Sequence, residues 1–257
     1  MLPRLRRGIA GFVLVVVWAA GSRVGAAAAP TVAAFTLGHS VVPLNRPWKF
    51  HVGDDARWAD PNFADGAWET VDLTPPPGAH DDDVGLSGYV PGWTANGHAG
   101  YWGYAWYRIR VRAFDPYGEP VSLAGPADVD GGYQLFVNGR LVGSSGSFAG
   151  ATPTEYSTLP RTFALETNAG RGRKPRSYSA LVALRVWTSR EDAASPGAGG
   201  MHIAPVLGSA AGIDAIARLQ WLELVRGFFL EILQAAVFVL LAVNAGSLMP
   251  FDRSDRA

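Results

Sequence analysis

Over residues 103–111 the chain alternates: Trp106, Arg108 and Arg110 fall between Tyr107, Ile109 and Val111. A period of two belongs to a β-strand, so one face is expected to pack while the face with the long polar side chains meets water. In the run over residues 131–143, two apolar-rich segments flank Asn138-Gly139. A two-residue Asn-Gly loop suits the positive φ of a type I′ turn and predicts a tight hairpin. Residues 48–52 also alternate and stop at Gly53-Asp54-Asp55, residues 179–188 read as a buried strand, and residues 161–166 as another. A lead-in strand and turn are expected over residues 31–45. Asp60-Pro61 has the form of a helix N-cap followed by proline at the first helical position, so one helical turn should carry Trp58, Phe63 and Trp68 inward. Many strands and no long amphipathic helix in this region predict an all-β domain.

Two apolar runs depart from that pattern. Arg4, Arg6 and Arg7 precede an apolar stretch over residues 9–20, and Ala26 to Ala29 supply small residues before Pro30. This is the form of a secretory signal peptide; the alternative is an uncleaved N-terminal anchor. Residues 227–249 are apolar apart from Glu231, Gln234, Asn244 and Ser247, and as a helix would extend about 34 Å, enough to cross a bilayer. The alternative there is a buried or self-associating helix of a soluble protein. The expected organisation is a signal peptide (1–29), a β-sandwich (30–190), an Ala-, Pro- and Gly-rich linker (191–208), a juxtamembrane helix (209–226), a transmembrane helix (227–249) and a short cytoplasmic tail (250–257).

Composition narrows the function. The 257 residues hold 22 basic and 22 acidic side chains, so no overall charge favours nucleic acid. Cysteine is absent, which excludes disulfides and thiolate chemistry. His39, His51, His80, His98 and His202 lack paired metal-ligand spacing, and the serines at 144, 145 and 147 are not at the offsets of a Gly-x-Ser-x-Gly elbow. Asp54, Asp55 and Asp81 to Asp83 sit in turn-like contexts and read as solvated loop charges. No cofactor is expected; a structural calcium ion has room in these turns without being predicted by them.

In order along the chain, the segments at residues 48–73, 103–111, 131–148 and 181–187 resemble the galactose-binding-like jelly-roll domain at the N-terminus of β-galactosidase and β-glucuronidase type glycoside hydrolases. They are similar also to the periplasmic sensory version of that domain in bacterial membrane signalling proteins, where membrane spans and a kinase, diguanylate cyclase or phosphatase follow. The resemblance implies a galactose-binding-like β-sandwich without the catalytic barrel of the hydrolases, hence no enzyme activity in this chain. Jelly rolls of this type bind at loops on one end or on a concave face. The long loop over residues 74–102 supplies Trp93, His98, Tyr101 and Trp102; Asp130 before the hairpin and Tyr156 after it complete the candidates. Each has a structural alternative, with Trp106 and Trp187 expected in the core.

The expected function is an extracytoplasmic sensory or ligand-binding module anchored in the inner membrane as a single-pass protein, its β domain in the periplasm. Its partners would be the membrane and a carbohydrate or small ligand, with a periplasmic protein as the alternative, and a second copy of the chain in a homodimer; nucleic acid is not expected. The other readings are a carbohydrate-binding fragment of a glycoside hydrolase and a membrane-anchored adhesion or scaffold module.

Overall fold

A computed structural model describes residues 32–37, 40–82, 85–155, 159–165 and 175–252. The signal peptide expected over residues 1–29 and the tail from Arg253 lie outside the described residues. The strands are β1 (Val32–Thr36), β2 (Val41–Pro43), β3 (Pro47–Val52), β4 (Glu69–Asp72), β5 (Gly103–Asp115), β6 (Val121–Ala124), β7 (Val129–Asp130), β8 (Gly132–Val137) and β9 (Arg140–Ser145). They continue with β10 (Thr162–Ala164), β11 (Arg176–Thr188), β12 (Gly200–Met201) and β13 (Val206–Ser209), and helices α1 (Ala210–Gly227) and α2 (Phe229–Asp252) close the described chain.

Two sheets face each other. The larger has the order β4-β3-β5-β11-β8-β9, and β1 adds in parallel to the half of β5 that β3 leaves free. The smaller has the order β10-β6-β13-β2. β5 and β11 pair antiparallel from Gly103↔Thr188 to Asp115↔Arg176, so the two longest strands form the spine of the domain. Between the sheets Trp48, Phe50, Tyr107, Val111, Leu123, Leu135, Val182, Leu184 and Leu207 are buried in one core, each removal from water contributing about 1.5–3 kcal/mol.

The β8–β9 hairpin forms at the expected place. Asn138 and Gly139 have φ of 50° and 85°, the paired positive values that a type I′ turn needs. Asn138 also joins the turn to the sheet, because its Oδ1 accepts from the Leu181 amide at 2.8 Å.

Over Trp106, Arg108 and Arg110 the polar face of β5 is covered rather than open to water. Residues 53–68 fold back over it, and Trp58, Phe63 and Trp68 point inward as the sequence suggested, onto Trp106, Phe136 and Ala183. The helical turn here is a 3-10 turn at Ala56–Ala59, capped by Asp55, whose Oδ1 accepts from Arg57 N at 2.9 Å. Asp60, the expected N-cap, instead terminates the turn, its N–H donating to the Arg57 carbonyl, and although its Oδ1 accepts from Asn62 N at 2.8 Å no helix follows. Under this cover Arg108 is fully buried: it pairs with Asp65 at 3.2 Å and donates to the carbonyls of Asp60 (2.8 Å) and Phe63 (3.4 Å). Arg110 holds the same carboxylate at 2.8 Å, and Arg185 pairs with Asp54.

The stretch expected as a linker, residues 191–208, belongs to the sandwich. β12 pairs with β7, and β13 lies between β6 and β2 inside the smaller sheet. Its glycines serve close packing: a Cβ on Gly199 or Gly200 would stand 2.3 Å from Trp93 Nε1 or from the Tyr107 hydroxyl.

β13 runs into α1 without a break, and Ser209 caps the helix by accepting from Gly212 N at 3.3 Å. α1 packs across β6, β10 and β13 through Ile213. After a turn at Phe228, α2 leaves the sandwich, with Phe229, Ile232, Leu233, Val237 to Leu241 and Val243 exposed between 46 and 69%. Among the described residues no single helix is long and apolar enough to cross a membrane. Ala210–Gly227 and Glu231–Ser247, bent by 48°, meet that test together by length and composition. Glu231, Gln234 and Asn244 confine the uninterrupted apolar stretch to residues 235–243.

Candidate ligand-binding site

The long loop before β5 is built around two aromatic side chains that turn inward. Trp93 is 1% exposed, its indole donates to the Tyr101 carbonyl at 3.0 Å, and its ring lies against those of Phe50 (6.1 Å) and Tyr101 (5.8 Å). The loop is stitched to residues 197–199 by the amides of Gly92, Trp93 and Thr94, which donate to Gly197, Gly199 and Ala198 at 2.6–3.1 Å. Trp93 therefore belongs to the core rather than to a ligand surface. Tyr101 is half-buried: its hydroxyl donates to the Tyr104 carbonyl at 2.5 Å and accepts from Gly53 N at 3.0 Å. Burial, more than the nearby charge of Asp54, raises its pKa against the lowering effect of the Gly53 amide.

What the loop presents outward is smaller. His98 packs edge-on against Phe50 at 5.4 Å, and its Nε2 meets the Glu69 carboxylate at 2.9 Å. A turn in which Tyr101 N donates to the His98 carbonyl leads to Trp102, 51% exposed. Of the candidate residues, Trp93, His98 and Tyr101 come together as a packed unit, and Trp102 follows them with an open ring. Tyr156 lies outside the described residues.

Asp130 has a different task. Its Oδ2 accepts from Gly199 N at 2.6 Å and meets His202 Nε2 at 2.9 Å, while His202 Nδ1 lies 2.9 Å from the Val90 carbonyl. A carbonyl only accepts, so Nδ1 must carry a proton; the carboxylate at the other nitrogen favours a second proton there. Burial alone would lower the His202 pKa. The hydrogen bond and charge of Asp130, helped by Asp128 and the Val90 carbonyl, outweigh it and raise the value. Tyr89 stacks on the imidazole at 4.8 Å and 5°. Its phenol is pushed up first by burial and then by Asp130, Asp128, Asp82 and Asp81. Asp130 thus braces the loop to β7 and β12, and the sequence offered no sign of Tyr89 or His202 as its companions.

A pair of carboxyls, Glu155 and Asp192, stands within reach of the Asp130 charge. Burial, then the hydrogen bond and charge of Asp192, push Glu155 up to about 7. Two carboxyls hydrogen-bonded to each other cannot flank a glycosidic bond, because an acid and its base or nucleophile stand about 5–9.5 Å apart in that chemistry. Among the described residues no group of three or more His, Asp or Glu is arranged to hold a metal ion. A groove of about 280 Å³ runs along one side of α1, between Ile216, Leu219 and Glu223 and the facing Leu86, Ala127 and Ile203.

No family model matches the chain, and no curated protein does. Among solved structures, the chain is similar to a β-glucuronidase of Bacteroides uniformis at TM-score 0.41 and 19% identity, over 65% of this chain and 17% of that one. It is similar also to a glycosyl hydrolase family 2 member of Bacteroides cellulosilyticus at TM-score 0.39 and 19% identity, over 65% and 20%. A β-glycosidase of Bacteroides vulgatus gives TM-score 0.39 and 17% identity over the same shares. The chain spans a fifth or less of the length of these enzymes.

Proposed function

We propose that this chain is a non-catalytic binding module: a β-sandwich of the kind carried by glycoside hydrolases, which takes a carbohydrate at its loop end. α1 and α2 hold it at a membrane, with the β domain on the extracytoplasmic side once residues 1–29 are removed. The observation that carries the reading is the exposed ring of Trp102 at the end of a turn fixed by buried Trp93 and hydrogen-bonded Tyr101. A sugar offers C–H faces to such a ring and hydroxyls to polar groups, and His98 of that turn, paired with Glu69 at the start of β4, supplies both a donor and an acceptor. A platform whose backbone is already ordered binds without the entropy cost of arranging itself.

The full chain in lipid nanodiscs, screened on a glycan array and by thermal shift, tests this reading. A glycan that raises the melting temperature, with the shift lost in Trp102→Ala, is the expected result. If no glycan shifts the protein and a periplasmic protein or a second copy of the chain does, the carbohydrate assignment fails.

A sensory role is the second reading, favoured by the direct run of β13 into α1. A ligand that binds two arrangements of the sandwich unequally would move that helix and, through it, α2. Spin labels on two copies of α1, compared with and without ligand, would report the change; identical distance distributions would remove this reading.

A further inference from the structure

The two sides of α1 differ in charge. Opposite the groove that holds Gln220 and Glu223, a cavity of about 600 Å³ opens between the helix and the segment before β10. Leu159, Pro160, Arg161, Arg218, Trp221 and Leu222 line it, with two guanidinium groups and no carboxylate. The groove on the other side has a carboxylate and no cation. Trp221 and Leu222 are 50% and 62% exposed, although Ile213, two and a half turns earlier on the same helix, is wholly buried.

Resting on the membrane reading above, we propose that this cavity binds an anionic phospholipid, with the phosphate between Arg218 and Arg161 and the glycerol backbone against Trp221 and Leu222. The depth fits. The segment Glu231–Ser247 is about 25 Å long as a helix, short of the ~30 Å hydrocarbon thickness, so the crossing draws on residues just before it. Leu222 then lies about 9 Å along the axis from Phe228. With the 48° bend its height above the hydrocarbon is about 6 Å, the depth of the headgroups, and Arg218, one turn earlier at about 10 Å, reaches down to that depth with its long side chain. Tryptophan and arginine are the side chains suited to that layer, the ring for its amphipathic edge and the guanidinium for paired hydrogen bonds to phosphate.

The test uses the full chain in phosphatidylcholine nanodiscs containing brominated phosphatidylglycerol or, at equal mole fraction, brominated phosphatidylcholine. Quenching of Trp221 is isolated as the difference between the wild type and Trp221→Phe. Local enrichment of the anionic lipid by about fivefold per arginine is expected, seen as stronger quenching by the brominated phosphatidylglycerol. Arg218→Gln should reduce that preference and Arg218→Lys restore part of it. Arg218 is exposed, so these variants spare the fold, whereas Arg161 is left intact because its Nε is buried.

Equal quenching by both lipids would overturn the lipid site while leaving the membrane reading standing. Quenching by neither would remove both. Loss of the preference on adding inorganic phosphate would reassign the arginines to a free anion, and Trp221 shielded by a second copy of the chain would reassign the cavity to self-association. Either outcome refutes the proposal.

Discussion

Arg108→Met is the sharpest test of the cover over β5. The native guanidinium is wholly buried and donates to two carbonyls as well as pairing with Asp65, with its carbon centre 5.5 Å from the Phe63 ring and 5.4 Å from that of Trp68. Methionine keeps much of the stem and its contacts but leaves the Asp60 and Phe63 carbonyls without this donor. Each lost charge-assisted hydrogen bond costs about 1.5–3 kcal/mol, partly offset because a buried cation no longer has to be desolvated. Asp65 is not orphaned, since Arg110 holds it at 2.8 Å. A net loss of about 2–3 kcal/mol follows, or about 5–10 °C in melting temperature for a domain of this size. Asp65→Asn should cost more, about 3–5 kcal/mol, because it strips the counter-ion from two arginines at once. The double variant should cost at least about 1 kcal/mol less than the sum of the two. Thermal unfolding followed by near-UV circular dichroism, with acrylamide quenching of Trp106, reads both stability and cover. A melting temperature unchanged within about 1 °C, with Trp106 no more accessible, would show that residues 53–68 do not depend on Arg108.

Three further outcomes follow from the same geometry. His202 has its pKa raised in the folded state, so its contribution is fully present below the unfolded value of about 6.5 and fades as pH rises through the folded value. Melting temperatures of the wild type should therefore fall toward alkaline pH more steeply than those of His202→Phe, and parallel profiles would refute the brace. Glu155 is also raised, to about 7, so it too opposes folding as pH passes from its unfolded range into the alkaline. Glu155→Gln should raise the melting temperature at pH 8 relative to the wild type and do little at pH 4; the reverse order would count against the shared proton with Asp192. Asn138→Ala should lose about 1–2 kcal/mol in a thermal melt, since alanine tolerates φ of 50° poorly and no longer accepts from Leu181 N.

The hairpin was legible because its cause is local: two residues that accept positive φ, flanked by strand-forming side chains. The inward turn of Trp58, Phe63 and Trp68 was legible too, because large aromatics in a short segment have few other places to go. The face that covers Arg108 was not. Alternation tells that Arg108 and Arg110 lie on one side of β5, but it does not contain the segment some fifty residues earlier that folds onto them. Residues 191–208 show the same ambiguity from the other direction. Their glycines read as a flexible linker, but Gly199 and Gly200 are places where Trp93 and the Tyr107 hydroxyl approach the backbone closely.

Within the candidate site, proximity in sequence grouped Trp93, His98 and Tyr101, and the fold does bring them together. It also turns Trp93 inward, leaving Trp102 as the open ring. Asp130 finds His202 seventy-two residues away and Tyr89 on the other side of that imidazole.

Local pattern alone was enough for the strands β3, β5, β8, β9 and β11, the turn between β8 and β9 and the apolar nature of the last helix, since these depend on neighbours a few residues apart. Which polar face is covered, which aromatic remains open and on which side of α1 the arginines stand follow from packing between segments far apart in the chain. Burial is conferred by segments distant in the chain, and a side chain's chemistry is available to a ligand only where no such segment has already used it.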